Sequence, residues 1–115
     1  MSHIDIQAMR RAVESGRIQY RQHAIQRMAE RDIRRQDVAA VLLTGERIED
    51  YPDDYPLPSA LFLGWRGSRP LHVVTAFNIA AATQALAAAP ASVQVITVYE
   101  PGPDHFEPDF KTRRQ

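Results

Sequence analysis

The hydrophobic pattern passes from a mainly helical period to a strand-like one at Gly45, and that change confines the chain to a mixed architecture. Before it, apolar residues recur mainly at helical spacing. After it, they come in short runs rich in β-branched and aromatic residues, separated by turn signals. Ser2 to Ser15 reads as a helix: Ser2 or Asp5 caps it, Ile6, Met9, Arg10 and Val13 follow helical spacing, and Gly16 ends it. Arg17 to Arg21 alternates polar and apolar, the mark of a short half-buried strand. Gln22 to Arg31 returns to the helical period, with Ala24, Ile25, Met28 and Ala29 on one side and His23, Gln26, Arg27 and Glu30 on the other. Asp32 breaks that run. Gln36 to Thr44 is a further short helix, with Val38, Val41 and Leu42 inward and Gly45 as its stop.

Strands are expected at Glu46 to Tyr51, Ala60 to Trp65, Leu71 to Phe77 and Val93 to Tyr99. Pro52 to Pro58, with its prolines and aspartates, is a loop. Arg66-Gly67-Ser68-Arg69 is a tight hairpin with glycine at the first central position. Asn78 to Ser92 is an Ala-rich connection, read as a flexible arm or a short helix. Pro101 to Gln115 is polar, packing loosely through Phe106 and Phe110 or waiting for a partner. The implied fold class is α+β: helices laid on one face of a mainly antiparallel sheet of about four to five strands, in two layers. At 115 residues this is one domain over 1–115, with a core at about 17–104, an N-terminal helix over 2–16 and a polar tail over 101–115.

Several classes are excluded. The Ala-rich run Ile79 to Ala91 falls short of the roughly 20 strongly apolar residues that span a bilayer, so no membrane association is expected. Met1 to Arg11 has no apolar segment of a signal peptide. There is no cysteine, which removes disulfides and thiolate metal sites. A cytoplasmic location fits these features. No phosphate-binding glycine loop, dinucleotide fingerprint or nucleophile elbow occurs, and no cofactor is expected. Four histidines without an i, i+4 pair make no zinc site, so no metal is expected.

Charge sums to zero but is segregated: residues 1–36 carry +4 and residues 37–58 carry −5. Thirteen of the fourteen basic residues are arginine, whose fork suits phosphate and carboxylate, although a compositional bias gives the same count. Three places could carry chemistry. His23, Arg27 and Glu30 share one polar helix face with Arg31 at its edge; the bland alternative is a solvated face in which Glu30 pairs with Arg27 or Arg34. His72 shares its strand face with Val74 and Ala76; the alternative is a satisfied core histidine. Tyr99-Glu100 ends a central strand, well placed for acid–base work and equally at home as a strand-to-loop transition. The acidic stretch Glu49 to Tyr55 lacks the spaced ligands of a calcium loop. His3 and His105 carry no spacing signal.

The runs His23 to Ile33, Asp37-Val38, Gly45 to Asp54, Pro56, Pro58-Ser59, Leu63-Gly64, Pro70 to Val74 and Ile96 to Pro101 resemble a small bacterial domain-of-unknown-function family. That family is similar to BrnT-type and, more distantly, RelE/ParE-type toxins of toxin–antitoxin pairs. The resemblance covers about residues 17–104. It implies a RelE-like fold and a metal-independent endoribonuclease that drives a ribose 2′-OH onto its own phosphate. Carried over, His23 is the base or acid, Arg27 and Arg31 are phosphate clamps with Arg21 beside them, and His72 with Tyr99 or Glu100 is the complementary group. The implied partners are a cognate antitoxin and mRNA or a ribosome, with a homodimer through a sheet edge as a further option. The chain departs from the pattern in its long Ala-rich connection and in a Val93 to Glu100 strand without a basic residue. The alternative reading is a non-catalytic protein-interaction module of the same fold.

Overall fold

A computed structural model describes residues 4–54, 57–77, 92–102, 104 and 106–113. The Ala-rich connection over 78–91, together with Ser2, His3, Tyr55, Pro56 and His105, lies outside the described residues. Three helices, α1 (Ile6–Glu14), α2 (Gln22–Arg31) and α3 (Arg35–Thr44), accompany five strands: β1 (Ile18–Tyr20), β2 (Glu46–Tyr51), β3 (Ser59–Arg66), β4 (Arg69–Ala76) and β5 (Val93–Tyr99). The sheet order is β1-β5-β4-β3-β2. β1 runs parallel to β5 and the other neighbours are antiparallel. The α+β class and the single mixed sheet agree with the sequence pattern.

Local chemistry sets the boundaries. The first helix begins at Ile6 rather than Ser2, because Asp5 is the cap: its carboxylate accepts the Ala8 N–H at 3.0 Å. Gly16 leaves α1 with φ 80°, and Asp32 closes α2 in the left-handed region at φ 55°. Gly67 has the positive φ, 64°, that the hairpin turn demands. Gly45 stops α3 in an extended conformation, and its reason is space: an added Cβ would lie 2.5 Å from the Leu63 carbonyl oxygen. At Gly64, a Cβ would lie 2.6 Å from Val41 Cγ2. These glycines let α3 rest directly on β3.

The helices cover one face of the sheet. Val13, Met28, Val38, Val41 and Leu42 pack there against Phe62, Leu71, Val73, Val95 and Val98. Arg10 of α1 donates to the Leu42 and Gly45 carbonyls at 2.9 and 2.8 Å, capping the carbonyl end of α3. The chain after β5, expected to pack loosely through Phe106 and Phe110 or to wait for a partner, does pack through both rings, and it folds back more closely than that. Residues 106–113 form a small turn, with a Phe106–Arg113 bridge and Asp109 accepting the Lys111 and Thr112 N–H groups at 2.9 and 3.0 Å. This turn lies on the face of the sheet away from the helices. Among the described residues no helix is long and apolar enough to cross a membrane.

Candidate functional site

Two one-residue register shifts decide which side chains meet on that second face. In β2 the pairing with β3 runs Glu46–Leu63 and Arg47–Phe62, then skips Ile48 and resumes at Glu49–Leu61 and Tyr51–Ser59. Strict alternation would put Glu46 and Glu49 on opposite faces; the bulge puts Glu46, Glu49 and Tyr51 on one. In β5 the pairing with β4 skips Ile96 between Thr75–Val95 and Val74–Thr97. That shift sends Val93, Val95 and Val98 to the helical core and turns Thr97 and Tyr99 toward the other side, where Tyr99 stands opposite His72.

The result is a cluster of His72, Tyr99, Glu49, Tyr51 and Arg113 beneath and beside the C-terminal turn. His72 is fully buried. Its Nε2 lies 2.8 Å from the Phe110 carbonyl oxygen, which can only accept, so Nε2 carries the proton. In the neutral ring Nδ1 then accepts the Tyr99 hydroxyl at 3.2 Å. Tyr99 and Phe106 meet the imidazole edge-on, with centroids at 5.2 and 4.7 Å. Phe110 itself holds φ 57°, a conformation unfavourable for an aromatic residue, and the bond to His72 fixes it. Arg113 grips Glu49 through two bonds of 2.8 and 3.0 Å, and its guanidinium lies 5.0 Å from the Phe106 ring centroid. The Tyr51 hydroxyl donates to Glu49 at 2.5 Å.

These contacts move protonation equilibria. Burial lowers the His72 pKa, helped by the Arg113 charge and opposed by the Phe110 hydrogen bond and Glu49. Glu49 is pushed up by burial, but the hydrogen bonds from Arg113 and Tyr51 outweigh it and hold its carboxyl below the usual value. Burial and the bond to Glu49 push the Tyr51 phenol up to about 12. Burial raises Tyr99 as well. Arg113 is raised mainly by its hydrogen bond to Glu49. Displaced values gathered in one place mark a candidate site.

The other sequence candidates lie elsewhere. His23, Arg27 and Arg31 are exposed on α2, in the helical layer, with the sheet between them and His72, and Arg21, also exposed, is the N-cap of that helix. Arg27 pairs with Glu30 at 3.8 Å with both side chains half exposed, the solvated-face alternative and a weak interaction. Glu100 points to the helix side of the sheet end, where Arg69 holds it at 2.9 Å and Arg66 at 3.5 Å. Arg66 also donates to the Asp32 carbonyl at 2.7 Å, so Glu100 belongs to a tie between the β3–β4 hairpin and the end of α2. His23 sits about 13 Å up that helix, at 1.5 Å rise per residue. The structure therefore joins His72 to Tyr99 and separates both from His23, Arg21, Arg27, Arg31 and Glu100.

Glu49, Tyr51 and Arg113 are the residues that sequence reasoning missed. Glu49 and Tyr51 alternate on an expected strand, which was a usable signal. Arg113 left none, since its place depends on the tail folding back. Among the described residues no group of three or more His, Asp or Glu side chains is arranged to hold a metal ion.

No curated protein and no solved structure matches the chain. Residues 20–100 match a protein-family model described as a domain of unknown function (DUF4258). The match contains Glu49, Tyr51, His72 and Tyr99 and ends before Arg113. Covering most of the chain and every strand of the sheet but the first residues of β1, it shows that this protein belongs to the DUF4258 family.

Proposed function

We propose that this protein is the toxin-like member of a toxin–antitoxin pair and cleaves RNA at the His72–Tyr99–Glu49–Tyr51–Arg113 cluster. The observation that carries the reading is the gathering of an ionised carboxylate, an arginine and two phenols on one sheet face around a buried histidine. Transesterification needs a base for the ribose 2′-OH, a cation for the phosphate and a proton for the leaving 5′-oxygen. Glu49 takes the 2′-OH proton. The 2′-oxygen bonds to phosphorus, the bond from phosphorus to the 5′-oxygen breaks, and Tyr99, its O–H turned from His72 Nδ1 toward the leaving group, protonates the departing oxygen. The products are a 2′,3′-cyclic phosphate and a 5′-hydroxyl end. Glu49 engages two donors of Arg113, and a guanidinium has five, which leaves capacity for a phosphate oxygen. His72 is too buried to touch substrate and acts as a positioning residue that fixes the Tyr99 hydroxyl. The cognate antitoxin is the expected partner.

The test is inducible expression in a bacterial host, with growth and RNA 5′ ends followed together. Growth arrest with new 5′-hydroxyl ends is expected for the natural sequence. Both should be lost in Glu49→Gln and Tyr99→Phe, with thermal unfolding lowered by no more than the few degrees that about 1 kcal/mol represents, and kept in His23→Ala. Arrest without new ends would overturn cleavage and indicate a protein target instead. Loss in His23→Ala alone would move the chemistry to α2.

A further inference from the structure

Beside the cluster, on the same sheet face, lies an open cavity of about 580 Å³ whose walls include Glu46, Leu63, Trp65 and Lys111. Gly45 and Gly64 also line it, at the point where α3 closes on β3. It adjoins the cluster directly. Leu63 stands opposite His72 in the sheet, and Glu46 stands opposite Leu63. Trp65 is 53% exposed. Its indole meets the ring of Phe110 edge-on at 6.0 Å, and Phe110 is the residue whose carbonyl holds His72. An exposed indole braced from one side and bordered by polar groups is a stacking platform. Glu46 and Lys111 pair at 3.2 Å across the cavity wall, both partly exposed.

We propose that this cavity is a nucleobase subsite that selects guanine, stacked on Trp65 and read along its edge by Glu46 and Lys111. The inference rests on the RNA reading above and adds its base preference. Guanine alone among the four bases presents two adjacent N–H donors beside a carbonyl acceptor on its Watson–Crick edge. Two adjacent donors match the two oxygens of the Glu46 carboxylate, and the neighbouring carbonyl matches the Lys111 ammonium. The other bases offer a single donor to the carboxylate. A base seated there lies next to Glu49 and Arg113, so the scissile phosphate would be one of those flanking the guanosine.

Trp65 is the only tryptophan in the chain, so its fluorescence reports on this cavity without any label. The full-length protein is titrated with GMP, AMP, CMP and UMP, with inorganic phosphate as the control. GMP is expected to quench the emission with a half-point about tenfold below those of the other nucleotides, the discrimination of one bidentate contact. Glu46→Gln, at an exposed side chain, should remove that preference while leaving quenching by all four. Quenching without base preference, equal quenching by phosphate alone, or no quenching would each overturn the proposal. RNA end mapping separates it from the cleavage reading. Preferential GMP quenching in a protein that cuts no RNA keeps the guanine site and discards cleavage. Cutting that is indifferent to Glu46→Gln and to guanine at the cut site keeps cleavage and discards the guanine site.

Discussion

The two faces of the sheet are closed in different ways. The helical face carries Phe62, Leu71, Val73, Val95 and Val98 against three helices; among the described residues the buried cluster there is apolar, with the half-buried Tyr20 packed at its margin. The opposite face carries His72, Tyr99, Glu49 and Tyr51, and it is covered by a turn of a few residues held by polar bonds. One face contributes stability through burial of an apolar cluster; the other buries Leu61, Leu63 and Phe106 but also holds charge and protons in a fixed geometry. Adjacent residues on one strand show the contrast. Val73 sits in the helical core, while His72 reaches the second face and needs both ring nitrogens bonded there.

That contrast can be broken most sharply at Phe62. Phe62→Ala is expected to cost about 3–5 kcal/mol, because the surrounding helices cannot close over the cavity; urea unfolding measures it, and a loss under about 1 kcal/mol would show that the helical face is not the stabilising one. On the other face Arg113→Ala should cost about 1 kcal/mol, the worth of a partly exposed ion pair, while abolishing RNA cleavage. Equal losses of stability at the two positions would erase the distinction.

The gentlest test is acid. The folded state holds the His72 pKa below its ordinary value, so the unfolded chain binds more protons as pH falls. The contribution of neutral His72 is complete above the unfolded value of about 6.5 and declines as pH drops below it. Glu49, also held low, acts in the same direction further down: its contribution is present above the unfolded value and is lost as pH falls through the folded one. Urea midpoints should therefore drop from about pH 7 to about pH 5, and a His72→Phe variant should show a flatter profile over that interval. A flat profile for the natural sequence would mean that the second face does not hold its histidine neutral.

The elements were legible because their signals are local. Asp5 as a cap, Gly16 and Asp32 as stops, and Gly67 in the hairpin each act within one turn of chain. The α2 boundaries read from the periodicity, Gln22 to Arg31, are those observed. The site was half legible. His72 and Tyr99 stood out by residue type, but spacing gave no way to separate them from His23 on α2 or from Glu100, which points to the other side of the same strand. Glu49 and Tyr51 read as part of an expected strand and of the acidic stretch that follows it, with nothing to link them to His72, and Arg113 as part of a polar tail.

By itself, then, the sequence determined the kinds of elements, their order and the apolar rows that make the helical core, since period and turn chemistry depend on near neighbours in the chain. Tertiary structure alone decided what faces what on the other side. The two bulges at Ile48 and Ile96 reverse the strand alternation, and each exists only against a partner strand in a particular register. The return of residues 106–113 depends on a histidine more than thirty positions away having a ring N–H to donate. Interactions of that separation leave no periodic trace in the chain.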